Sequence, residues 1–244
     1  MERTVHIRKI MNKTILLLFS FLFLSCNSKG QNNVNEKATE NHQEKPKTKL
    51  TGNQIIMELE KLNFFNLTEK NELKETKAEF EKSYNELNFF EGKMKGESVI
   101  FTDNRFYFID SETLFEGGGL IQYLETVKKT FDKLNLKLKI SEEFNNQTEK
   151  HWTHKIKLNG KEYIAFDADF GEADWGIAYI NFIEMLNDQL KLQNCAERFY
   201  PISSGNDGRI VLLTKQQFEF VKANYPINKE HPMEINDWKH YNTM

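Results

Sequence analysis

Residues 152–166 read WTHKIKLNGKEYIAF. Two runs carrying branched and aromatic residues, 152–158 and 161–166, flank Asn159-Gly160. A two-residue Asn-Gly connection favours a type I′ turn, because both central positions need positive φ. The pairing this sets puts Lys157 opposite Glu162 and Ile156 opposite Tyr163. The segment is expected to be an antiparallel β-hairpin.

Working outward, Gly117-Gly118-Gly119 precedes Leu120, Leu124, Val127, Phe131 and Leu134, which recur at spacings of 4, 3, 4 and 3. That period predicts an amphipathic helix. Leu136, Leu138 and Ile140 alternate as a strand. Residues 98–102 and 105–109 read as a second hairpin around Asp103-Asn104, with Phe101 facing Phe106 and Val99 facing Phe108. Nearer the amino terminus, Thr51 and Gln54 are spaced for a capping box ahead of Ile55, Ile56, Leu59 and Leu62. Thr68 is expected to open a second helix toward Leu87. Downstream, a helix is predicted from about Ile177 to Leu190 and a buried strand over 209–213. Thr214, with Gln217, caps a helix that Pro226 stops. Helices and hairpins mix without regular βαβ alternation, so the expected class is α+β. Residues 50–244 are expected to form a single globular domain of antiparallel hairpins packed with several amphipathic helices.

The amino terminus is different material. Arg3, Arg8, Lys9 and Lys13 form a basic flank ahead of Ile15 to Leu24, ten residues interrupted only by Ser20. Ten apolar residues are about half a membrane span, so the stretch reads as an export signal. Met11 begins a complete signal of its own and is the expected true start. The run ends in Leu22-Phe23-Leu24-Ser25-Cys26, which resembles the lipobox of bacterial lipoproteins, with Phe23 where Leu is preferred. The resemblance implies cleavage after residue 25, a diacylglyceryl group on the Cys26 thiol and an acylated new amine, with fatty acids such as palmitate. Several acyl chains together give firm anchoring, where one is marginal. Residues 26–49 then supply the lipidated cysteine and a polar tether with no aromatic residue, too poor in apolar area to fold. Asn27-Ser28-Lys29-Gly30-Gln31 lacks acids, so the expected location is the envelope, on an outer membrane and facing the periplasm. A protein partner in that compartment is expected.

Composition excludes other classes. The chain of 244 residues has a formal net charge of −3, and 28 lysines against five arginines. A nucleic-acid binder shows a basic excess and uses arginine forks. Removing residues 1–25 leaves a net charge of −6, which serves solubility. With Cys26 lipidated, Cys195 has no partner, so the core rests on packing rather than disulfides.

Chemistry is less legible. The glycine triplet lacks a P-loop lysine and is read as a turn. His151 and His154 form an HxxH pair, but three residues apart on a strand they point to opposite faces; two surface or interface histidines are expected. Asp167, Asp169, Glu172 and Asp174 form the densest acidic stretch. Converging carboxylates could hold Ca²⁺ or Mg²⁺, as a metal-binding protein or metal-assisted hydrolase would need. A calcium loop would want Gly at Glu172 and Glu at Ala178, so a solvated acidic loop is the simpler reading. No GxSxG, HExxH, SxxK or CxxC occurs, and no cofactor is implied. If the chain has an active or ligand site, it is expected beside this loop, where Trp152, Phe170 and Trp175 lie close in sequence to the acids, with Trp152, His154 and Trp175 as binding candidates. The first functional expectation is a non-enzymatic binding or inhibitor module, of the kind that neutralises toxins of neighbouring cells.

Overall fold

The structure, a computed structural model, describes residues 49–86, 88–90, 92–95, 98–101, 103–115, 118–203, 206, 208–225 and 231–242. The export signal, Cys26 and almost all of the tether lie outside these residues, as do Leu87, Thr102, Gly117 and Pro226.

Helix α1 (Gly52–Lys61) opens with the expected capping box: the Gln54 amide donates to Thr51 Oγ1 at 3.3 Å, and the Thr51 amide to Gln54 Oε1 at 2.8 Å. A 3-10 turn (Phe64–Leu67) leads to α2 (Leu73–Asn85). This second helix begins at Leu73 rather than Thr68. Thr68 is engaged elsewhere, its hydroxyl donating to Asp103 Oδ2 and its backbone bridging Asp103.

Strand β1 (Lys93–Lys95) pairs with β2 (Ser98–Ile100), which sets Met94 opposite Val99. The expected hairpin across Asp103-Asn104 is therefore corrected. Its second arm, β3 (Phe106–Phe108), pairs with the C-terminal strand β8 introduced below. The Asp103 carboxylate accepts from the Arg105 amide at 2.8 Å, and the Arg105 guanidinium turns inward to Phe64 O and Leu212 O. Phe101 nevertheless stacks on Phe106 at 5.3 Å and on Phe108 at 4.4 Å.

Helices α3 (Ser111–Phe115) and α4 (Leu120–Lys133) follow. Between them Gly118 has φ +63°, and a Cβ on Gly119 would sit 2.7 Å from Thr113 O. These two glycines permit a turn and a close approach. Next comes an antiparallel sheet of β4 (Ile140–Gln147), β5 (His151–Leu158) and β6 (Lys161–Asp169). Lys157 pairs with Glu162 and Ile156 with Tyr163, and the turn residues Asn159 and Gly160 have φ +49° and +84°. The strand expected at 136–140 begins only at Ile140 and continues to Gln147 through residues that are polar except for Phe144.

Helix α5 (Asp174–Leu192), β7 (Glu197–Ser203), β8 (Arg209–Thr214), α6 (Lys215–Asn224) and α7 (Ile235–Tyr241) complete the described chain. Thr214 and Gln217 form the second capping box. The sheet β3–β8–β7 is buried on both faces. Phe106, Val211 and Leu213 join α1, α2 and α6 in one core; Tyr107, Ile210 and Leu212 join α4 and α5 in the other. A strand covered on both sides reads as a continuous apolar run, as residues 210–213 do. Helix α5 touches both β7 and β6. It therefore buries Tyr179, Phe182, Ile183, Leu186 and Leu190, more than one stripe. The class is α+β.

Candidate functional site

Alternation along β5 turns Trp152, His154, Ile156 and Leu158 inward and leaves His151, Thr153, Lys155 and Lys157 on the outer face. His154 is thus buried, which corrects the expectation of a surface histidine. Its ring stacks on Trp152 at 5.0 Å, with Nε2 2.8 Å from Glu143 Oε1. Trp152 Nε1 donates to Asn145 Oδ1 at 2.7 Å. Both rings are fixed by β4, so His154 acts as backing to Trp152.

After β6 the chain turns through Phe170 and Gly171 into α5. The Phe170 amide donates to Lys150 O at 2.8 Å, and the Gly171 amide donates to Asp174 Oδ2 at 2.9 Å. Asp174 is the first residue of α5, three positions before the expected start at Ile177. A carboxylate there suits the positive end of the helix dipole. Phe115, at the end of α3, lies edge-on to Trp152 (4.8 Å, 73°) and to Phe170 (6.2 Å, 88°).

These elements enclose an open cavity of about 800 Å³. Four rings line it: Phe115 and Trp152, both buried, and Phe170 and Trp175, 37% and 38% exposed. Gln147 from β4, with Glu172 and Asp174, supplies the polar lining. Of the residues expected at a site, Trp152, Trp175, Glu172 and Asp174 meet here, and His154 stands behind Trp152.

Asp167 and Asp169 do not join them. They pair in register with Thr153 and His151, on the outer face. His151 Nδ1 lies 2.8 Å from Asp169 Oδ1 and Nε2 2.9 Å from Asp167 Oδ1, while Thr153 Oγ1 donates to Asp167 Oδ1 at 2.9 Å. Hydrogen bonds to Asp169 first, then Asp167, raise the His151 pKa. The bond from His151, then that from Thr153, lowers that of Asp167. Among the described residues no group of three or more His, Cys, Asp or Glu side chains is set to hold a metal ion.

No protein-family model, curated protein or solved structure matches this chain. The chemistry of the site therefore rests on its own residues. Phe115 and Gln147 were not legible as site residues, since each sits on an element, α3 or β4, that carries no apolar period. The adjacency of Trp152, Phe170 and Trp175 to the acids was the signal that marked the place. Cys195 lies elsewhere; burial and the nearby Glu197 carboxylate push its thiol pKa up to about 11, so it stays protonated and is a poor nucleophile.

Proposed function

We propose that this is a lipid-anchored binding protein of the bacterial envelope, tethered through Cys26, which captures a small ligand or the end of a larger one. The observation that carries the binding half of this reading is the cavity at the start of α5. Apolar walls with a few convergent polar groups are the usual make-up of a ligand pocket. The lipobox-like sequence supports the anchor.

The test is thermal stability of the purified full chain against a panel of amines, saccharides, amino acids, nucleosides and calcium or magnesium chloride at millimolar concentration. A ligand that binds only the folded state raises Tm by mass action. At least one organic compound is expected to do so, and Trp175→Ala is expected to abolish the shift. If no compound raises Tm, or if Trp175→Ala leaves every shift intact, the pocket reading falls. The metal alternative would use Asp167, Asp169, Glu172 and Asp174. The division of these four between the outer face of the sheet and the pocket weighs against it, and the two metal salts are expected to leave Tm unchanged.

An inhibitor that binds a protein partner is the second reading. It is favoured by the outer face of β4–β5–β6, where Phe144 and Ile164, 52% and 50% exposed, flank Lys155 in register. That reading requires partner affinity that survives Trp175→Ala.

A further inference from the structure

We infer that the pocket recognises an organic cation, a quaternary ammonium or protonated amine, an inference that rests on the pocket being the binding site. Four aromatic rings and two carboxylates line it, and among the described residues no lysine or arginine does. The face of an aromatic ring is negative, and it attracts a cation held over it, more strongly once the cation is desolvated. Trp152 gives one face to His154, and the pocket brings its ring together with three others.

The charges of the lining disfavour an anion. The α5 N-terminus contributes roughly half a positive charge, and Asp174 in its first turn offsets it while accepting the Gly171 amide. Glu172 remains, exposed and without an ion pair among the described residues. Within the described lining, Glu172 is therefore the charge left without an offset.

Ring geometry separates a cation from a neutral sugar. A saccharide stacks flat along coplanar rings. Here Phe115 stands at 73° to Trp152 and 88° to Phe170, so neighbouring walls meet near right angles. A compact, roughly spherical ammonium head can touch several such walls together. The two buried rings form the floor and the two half-exposed rings the rim, and the cavity leaves room for a chain beyond the head.

The probes are tetramethylammonium, choline, spermidine, the choline analogue in which a tert-butyl group replaces trimethylammonium, and a neutral chitin trisaccharide. Binding to the full chain is read by calorimetry and by quenching of tryptophan fluorescence, since two of the three tryptophans line the pocket. At least one cation is expected to bind, with choline about tenfold or more tighter than its uncharged analogue. Glu172→Gln, an exposed isosteric change that leaves packing untouched, is expected to weaken the cation by about tenfold. Equal binding of the uncharged analogue, or binding of the trisaccharide alone, overturns the cation inference and leaves the pocket reading standing. Binding that Glu172→Gln leaves unchanged overturns it likewise. Should none of the probes bind while the wider panel yields a Trp175-dependent ligand, the cation inference alone falls. If the panel is silent as well, both fall.

Discussion

Arg105 is a fully buried side chain whose guanidinium is held by three segments of the chain. Nε donates to Phe64 O at 2.5 Å, one terminal nitrogen to Leu212 O at 3.0 Å, and the other to Asn66 Oδ1, with Glu197 Oε1 3.7 Å away. Desolvation lowers the Arg105 pKa against the pull of Asp103 and Glu197, and it raises that of buried Asp103 against Thr68 and Arg105. The cluster therefore holds charge in a place that disfavours it, and it stands only while the partners remain together. Arg105→Met leaves Asp103 and Glu197 without their cation. The expected loss is about 3–5 kcal/mol, read as a lower urea midpoint at unchanged m-value. Arg105→Lys is expected to lose most of the same stability, because one ammonium cannot reach three acceptors in a fixed fork. None of this was legible in the sequence. An arginine between Asn104 and Phe106 looks like a hairpin residue, and its acceptors come from segments about 40 and 107 positions away.

At the scale of elements, what the sequence carries is local. Both capping boxes and the Asn-Gly turn are complete within four residues or fewer, and each formed as read. The elements that were not legible depend on tertiary partners. Strand β4 beyond Ile140 is polar apart from Phe144 and owes its existence to the ladder with β5; β7 shows no strand signal in the sequence and is defined by its pairing with β8; α3 and α7 are too short to show a period. The same dependence accounts for the acidic residues. Once β6 runs on to Asp169, Asp167 and Asp169 become cross-strand partners of Thr153 and His151, while Glu172 and Asp174 pass to the pocket. The His151 bracket should mark the β5–β6 end in the pH profile. A raised histidine pKa contributes stability that is present below the unfolded value and is lost as pH rises through the folded one. A lowered aspartate pKa contributes stability that is present above the unfolded value and is lost as pH falls through the folded one. Both are complete between about pH 4 and about pH 6.5. The Tm deficit of His151→Ala relative to wild type is expected to peak in that window, to shrink on either side, and to fall with added salt because the pair is exposed. A deficit independent of pH would mean that the ring contributes packing alone.

At the scale of the whole molecule, two cores share the sheet β3–β8–β7, and α5 lies between that sheet and β4–β5–β6. The pocket is a consequence of this stacking. Helix α5 must begin where the β6 chain turns back, so its first residues meet the open end of the outer sheet and Phe115 closes the corner. None of the described helices is long and apolar enough to cross a membrane. Ahead of the described residues, the lipobox-like sequence offers one atom for a lipid anchor, the Cys26 thiol. Wild-type protein expressed in a bacterial host is expected in the membrane fraction, with a mass that fits cleavage after Ser25 plus acyl chains. Cys26→Ala is expected to lack those acyl chains and to shift toward the soluble fraction. The described domain should be unaffected by this change, so the two proteins should share one Tm after detergent extraction. A Cys26→Ala protein that still pellets with membranes, at a mass differing from wild type by the substitution alone, would exclude lipidation. The proposed envelope location would then need another route.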